Sequence, residues 1–249
     1  MAIHDFASQR LMVDAPLAPG ADIELDREQT NYLLNVLRLG DGAAILVFNG
    51  RDGEWRVHLV LTGRKSCRLR VDLQTRPQTP QSAIRYLFAP LKRARLDYMV
   101  QKAVELGAGH LQPVLTRRTI AERVNLDRMR ANAVEAAEQC GVLSIPTIGD
   151  PLKFGDVVAS WPADIPLVVC DEEAEVADPI AMLSRVAPGP GGSVAVLIGP
   201  EGGFDPAERE VLRAKPFTTA ISLGPRIMRA DTAAVAALSL VNAVLGDWR

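Results

Sequence analysis

Ser193-Val-Ala-Val-Leu-Ile-Gly-Pro-Glu-Gly-Gly-Phe-Asp-Pro-Ala-Glu208 is the stretch from which the fold can be read. After Ser193 its first residues form a continuous apolar run, the pattern of a strand buried on both faces. Gly199, Gly202 and Gly203 permit positive φ and close backbone approach, and Pro200 stiffens the turn among them. Asp205, Pro206 and Glu208 then stand at the N-cap, first and third positions of a helix predicted over 207–213, a capping box. Strand, glycine loop and helix in succession make the unit of a parallel α/β sheet, in which ligands bind at the carboxyl ends of the strands.

A second loop of the same kind follows. Leu223-Gly-Pro-Arg-Ile-Met-Arg-Ala-Asp-Thr232 succeeds a short strand predicted at 220–223, and Asp231 or Thr232 is the expected cap of a last helix over 232–245. The two loops are expected side by side. That helix is alanine-rich and apolar almost all round, which implies deep burial. Working outward, strands at 83–89, 111–115, 166–170, 194–198 and 220–223 alternate with helices at 95–106, 126–140, 179–186, 207–213 and 232–245. The alternation predicts an α/β domain with a mostly parallel sheet over 83–249. Residues 75–82, polar with Pro77 and Pro80, read as a linker. Residues 1–74 are mainly β: strands at 10–14, 43–49, 54–61 and 68–73, hairpin-turn residues at Asn49-Gly-Arg-Asp-Gly53, and one helix over 27–39 with Tyr32, Leu33, Val36 and Leu37 on one face. This first part reads as a small β-barrel domain.

Composition narrows the chemistry. Twenty-eight Lys and Arg against 30 Asp and Glu leave a net charge of −2, so nucleic-acid binding has to rest on local patches. Arg68 and Arg70 share one face of a strand, Lys92, Arg93 and Arg95 open a helix, and Arg117 and Arg118 follow a strand. Apolar runs are too short to span a membrane and the first residues show no export signal, so a soluble cytoplasmic protein is expected. Cys67, Cys140 and Cys170 have neither the number of a disulfide framework nor the spacing of a zinc site, and no metal is expected. His4, His58 and His110 offer little to histidine-based catalysis, and His110, opening an apolar run, reads as structural. Nucleophile-elbow, P-loop and dinucleotide signatures are missing. Group transfer from a bound cofactor remains.

Gly-Pro-Glu-Gly-Gly-Phe followed some twenty residues later by Leu-Gly-x-Arg-Ile-x-Arg-x-Asp-Thr-Ala resembles the small-subunit ribosomal RNA uridine N(3)-methyltransferases of the SPOUT class. The resemblance extends to Tyr32-Leu-Leu-Asn-Val-Leu-Arg-Leu39, to Phe48-Asn-Gly50, to Gln101-Lys-Ala-Val-Glu-Leu-Gly107 and to Glu138-Gln-Cys-Gly141. It implies a PUA-like RNA-binding domain ahead of a SPOUT domain with a C-terminal trefoil knot, a homodimer, and S-adenosyl-L-methionine as cofactor. The implied substrate is one uridine of 16S rRNA in the assembled small subunit. Arg229 and Arg226 are the implied catalytic groups, with Glu201 as orienting group or base. Cofactor contacts are expected from Ile198, Gly199, Pro200, Gly202, Gly203, Leu223, Gly224, Ile227 and Met228, with Asp171 and Glu172 toward the ribose or amino group. RNA contacts are expected from Arg10, Arg38, Arg68, Arg70, Lys92, Arg93, Arg95, Arg117 and Arg118. Two alternatives stand beside this reading: methylation of another RNA atom such as a ribose 2′-hydroxyl, and a non-catalytic RNA-binding assembly factor. Ala230-Asp231, where relatives usually have Thr-Glu, and Val142, where a basic residue is common, depart from the family pattern.

Overall fold

A computed structural model describes residues 8–120, 123–174 and 178–248; His4 lies outside them. The chain divides into two compact units, one running to Pro80 and taking in Ala137–Ile145, the other comprising Gln81–Ala136 and Pro146 onward.

The first unit is built on a five-stranded sheet: β1 (Arg10–Met12), β2 (Asp22–Glu24), β3 (Ala44–Phe48), β4 (Glu54–Gly63) and β5 (Ser66–Arg76), in the order β1-β3-β4-β5-β2. β3 and β4 form the antiparallel hairpin expected of Asn49–Gly53. Asn49 Oδ1 accepts from the backbone N–H groups of Arg51 and Asp52, and its amide donates to Ala15 O, so one side chain closes the turn and ties it to β1's exit. β5 continues to Arg76, two residues into the stretch read as linker, because Thr75 and Arg76 both bond Glu54 on β4. Leu11, Val13, Ile23, Leu33, Ile45, Val47, Val57, Leu59, Leu69 and Val71 make the core. Alternation along β4 and β5 puts Val57, Leu59, Leu69 and Val71 on one face.

The helix of this unit departs from its predicted form. α1 (Arg27–Asn31), capped by Asp26 with Gln29 reaching back, passes into a π turn over Tyr32–Val36. The wider turn keeps Leu33 buried but rotates Val36 to 62% exposure, off the apolar face assigned to it. It ends with Arg38 at φ +54, a left-handed slot glycine would fill at lower cost.

In the second unit β6 (Ile84–Phe88), α2 (Arg93–Glu105), β7 (His110–Leu115), α3 (Leu126–Cys140), β8 (Thr147–Ile148), β9 (Leu152–Lys153), α4 (Phe154–Ala159), β10 (Leu167–Cys170), α5 (Pro179–Leu183), β11 (Val194–Ile198), α6 (Pro206–Arg213), β12 (Thr218–Ile221) and α7 (Ala230–Val244) alternate as predicted. The last residues of α3 belong with the first unit. β8, β9 and α4 are the elements the sequence did not announce, being two to six residues long. All pairings are parallel, in the order β12-β10-β11-β6-β7-β8, with β9 also on β7. All five residues of β11 are buried, as a strand covered on both faces requires. α7 packs on α2, α5 and β11. Asn242, buried at 1%, donates to Leu106 O after α2, so the polar residue on the apolar helix is satisfied.

Candidate active site

The parallel sheet brings three loops to one edge. Cys170 pairs in register with Ile198 on one side and Ile221 on the other, so β10, β11 and β12 end level. The chain leaves that edge at Asp171, Gly199 and Ser222. The strands that lead into the two glycine loops, expected side by side, are not neighbours: β10 pairs with both, and its own loop leaves the edge between them.

The first glycine loop is held from several sides. Phe204 is buried at 1%, and a Cβ on Gly199 would stand 2.9 Å from its ring. Gly203 has φ +68, and a Cβ there would collide with the Glu172 carboxylate and lie 3.0 Å from Arg209 Nη2. Gly202 differs: its nearest neighbour would be Arg118 Cδ at 3.7 Å, an ordinary contact. Gly203→Ala is thus expected to destabilise the fold by about 1–3 kcal/mol through strain and collision, while Gly202→Ala leaves the thermal midpoint almost unchanged; a melting comparison of the two checks this.

α6 begins with the predicted capping box, in which Asp205 accepts from Ala207 N and Glu208 Oε2 from Asp205 N. Glu208 Oε1 also accepts from Arg117 N at 2.9 Å, and Arg117 Nη1 stands 3.2 Å from Asp205. Arg118 Nη1 donates to Gly202 O at 2.8 Å, and Arg95 pairs with Glu201. So Arg95, Arg117 and Arg118, expected as RNA contacts from two separate patches, converge on residues 201–208. Glu201, expected as a base or orienting group, is a partner of Arg95.

The loop after β10 is organised by a residue the sequence reading did not single out. Arg209, on α6 and 6% exposed, donates from Nε to Asp171 Oδ1 at 3.0 Å and pairs with Glu172 and Glu173 through its other two nitrogens. Asp171 also accepts from Glu173 N and Arg213 Nη2. Both its oxygens are engaged in the protein and the residue is 5% exposed, so Asp171 shapes the loop. Glu172 keeps a half-exposed side chain.

The second glycine loop is open. Gly224 has φ +105, with nothing within 4 Å of the point where a Cβ would stand, and Ile227 is 96% exposed. α7 starts two residues earlier than predicted: Arg229 is its N-cap, through backbone alone, and Asp231 bonds only the next N–H instead of capping. Arg226 and Arg229 are both exposed and have no hydrogen-bond or ion-pair partner among the described residues.

Elsewhere the expected RNA contacts separate into paired and free groups. Arg10 is a correction: at 6% exposure it lies buried against Glu54, 2.9 Å away. Arg70 forms a bidentate pair with Asp22 on β2, and Arg68 stands 3.5 Å from the same carboxylate. Lys92, Arg93 and Arg38 are exposed without partners among the described residues. His110 bonds Thr147 Oγ1 at 2.7 Å, and burial holds its pKa below the ordinary histidine value, a neutral structural group. Burial pushes the Cys170 thiol up to about 12, so at the strand end it is not a nucleophile at neutral pH. No helix among the described residues is long and apolar enough to cross a membrane.

Relatives share this architecture. A protein of Rickettsia conorii named ribosomal RNA small subunit methyltransferase E is 29% identical over 94% of both chains. One of the same name from Synechocystis is 30% identical over 95% of this chain and 78% of its own. Among solved structures, a putative methyltransferase of Legionella pneumophila in complex with the cofactor SAM superposes with a TM-score of 0.81 at 25% identity, covering 95% of this chain and 97% of that one. The ribosomal RNA small subunit methyltransferase E of Neisseria gonorrhoeae, bound to S-adenosyl methionine, has the same fold, with a TM-score of 0.85 at 23% identity over 97% of this chain and all of that one. Residues 25–72 match the RNA methyltransferase PUA domain. Since residues 77–242, about two thirds of the chain and the whole of the three-loop edge, match the RNA methyltransferase domain, the chain belongs to that family.

Proposed function

We propose that this protein is an S-adenosyl-L-methionine-dependent methyltransferase that modifies N3 of a uridine in 16S rRNA. The observation that carries the reading is the pair of partnerless arginines, Arg226 and Arg229, in an open loop at the edge where a glycine-bearing loop also emerges. In a family of RNA methyltransferases, cations left without a protein partner beside the expected donor site suit an acceptor that becomes negative.

The edge fits the cofactor on its own chemistry. Gly224 leaves bare backbone with open space, and Leu223, Met228 and the exposed Ile227 supply apolar surface beside it. Ile198, Gly199, Pro200, Gly202 and Gly203 face the same edge from β11, and Glu172 and Glu173 bring negative charge suited to a cation. S-adenosylmethionine, when bound, supplies a methyl group on a cationic sulfur already activated for transfer. The protein's part is to align the acceptor and to help its N3–H lose a proton. As the proton leaves, charge spreads over N3 and the flanking carbonyl oxygens of the base. Arg229 stabilises that charge, reinforced by its place at the N-cap of α7, where unpaired backbone N–H groups carry partial positive charge. Glu201, tied to Arg95, orients the first loop. The proton passes to solvent.

N3 lies on the pairing edge, so the target uridine is unpaired when it reacts. Lys92, Arg93 and Arg38 neutralise phosphates, each within its own unit. The left-handed φ of Arg38, kept where glycine costs less, supports a role for that side chain. The C-terminal loops form the trefoil knot of the SPOUT class, and the protein acts as a homodimer on the assembled subunit.

The test is transfer of labelled methyl from S-adenosylmethionine to undermethylated small subunits and to free 16S rRNA, with mass spectrometry of the product nucleoside. A single 3-methyluridine, preferentially in the subunit, is the expected result. Label on a ribose refutes the target atom, and binding of RNA without label refutes the activity.

A further inference from the structure

We propose that Arg209 is a positioning residue for the cofactor site, acting through the loop after β10. This rests on the reading above that S-adenosylmethionine binds at the three-loop edge. The guanidinium sits at 6% exposure on the first turn of α6, the helix that grows directly out of the first glycine loop. Its three nitrogens go to three consecutive carboxylates, those of Asp171, Glu172 and Glu173, which open the turn by which the chain leaves β10. One planar group thus dictates the path of that turn. Gly203 lies against the same assembly, with the Glu172 carboxylate and Arg209 Nη2 where a Cβ would be.

The arrangement exceeds what folding requires. A buried ion pair is weak evidence for stability, since apolar residues of similar volume often serve as well. What three converging acceptors supply is a single geometry for two loops that are about 30 residues apart in sequence yet leave neighbouring strands at the same level. Asp171 needs no help from a ligand, being fully engaged by Arg209, Arg213 and Glu173 N. Glu172 and Glu173, half exposed, are held by the same cation in the loop after β10, where their charge would suit a cationic cofactor. Without Arg209, three adjacent carboxylates repel one another and the turn opens toward solvent.

The experiment compares wild type, Arg209→Lys and Glu173→Gln by calorimetric binding of S-adenosylmethionine, by hydrogen exchange of residues 171–174 and 199–204 without ligand, and by KM and kcat for the methyl donor. Lysine keeps the charge but reaches one acceptor at a time, so it is expected to weaken binding about tenfold or more and raise KM alike, with kcat at saturation within about twofold. Exchange of both loops quickens in the free protein. Glu173→Gln alters an exposed side chain, is safe for folding, and is expected to weaken binding about threefold. Wild-type affinity and unchanged exchange in both variants overturn the proposal, as does a loss confined to kcat. If the wild type binds no S-adenosylmethionine, the cofactor assignment fails instead, and the exchange experiment alone decides whether Arg209 sets the two loops.

Discussion

Arg229→Ala is expected to lower kcat for methyl transfer by about 10²–10³-fold, with little change in donor affinity and none in thermal midpoint. The physical ground is the contrast between this arginine, which like Arg226 is partnerless among the described residues, and the paired arginines of the site. Arg95, Arg117 and Arg118 each have a partner in residues 201–208, and Arg209 has three carboxylates. Arg229 is exposed with no partner among the described residues, so removing its guanidinium orphans nothing. Its backbone makes the N-cap through the Arg229 carbonyl, which accepts from Ala233 N at 2.8 Å and is retained in alanine. A residue that contributes nothing to the fold yet holds a cation at a helix N-terminus is disfavoured there by the helix dipole, and an anionic acceptor would reverse that penalty. Steady-state kinetics with circular dichroism check the prediction. Near-normal turnover in the variant removes Arg229 from the chemistry, and a lowered midpoint would show that it has a structural task.

What could be read from the sequence were the features encoded within a few residues. The run 194–198, the capping box of Asp205 and Glu208, and the hairpin turn of Asn49 all depend on neighbours two to six positions away, and each stands as predicted. What escaped depends on pairings across the chain. Arg10 looked like a surface cation because its partner, Glu54, lies 44 residues on. Arg209 was not singled out in the helix predicted over 207–213, because its acceptors precede it by 36 to 38 residues. The order of loops along the edge was likewise hidden: sequence shows that β11 and β12 end in glycine loops, but only pairing places β10 between them. The π turn at Tyr32–Val36 breaks the 3.6-residue period from which an apolar face is inferred, so Val36 was assigned inward. A usable signal for Arg209 did exist. Asp171-Glu172-Glu173 is a run of like charges directly after an apolar strand, and a buried strand end seldom tolerates three carboxylates without a cation.

The first unit carries the second large effect. Glu54→Ala is expected to destabilise it by about 3–5 kcal/mol, because the substitution removes a buried carboxylate that two cations and a hydroxyl share. Glu54 is 2% exposed and accepts from Arg10 Nε at 2.9 Å, from Arg76 Nη2 at 2.6 Å and from Thr75 Oγ1 at 2.8 Å. Through these it joins β1, β4 and β5, and Arg76 Nη2 continues to Gly141 O in the segment that belongs with this unit. Burial pushes the carboxyl pKa up, but the bonds from Arg76, Thr75 and Arg10 outweigh it and hold the pKa below the ordinary glutamate value of 4.5. A carboxylate depressed in the folded state binds its proton more readily when unfolded, so its stabilisation is complete above the unfolded pKa and declines as pH falls through the folded one. Wild type should therefore lose stability on acidification below about pH 4.5. In Glu54→Gln, which keeps the shape and some of the hydrogen bonds, that acid-dependent component should vanish while the neutral-pH stability is already lower. Denaturant melts of both proteins at neutral and acid pH test this, and parallel pH profiles would show that Glu54 is not the group that links the fold to acid.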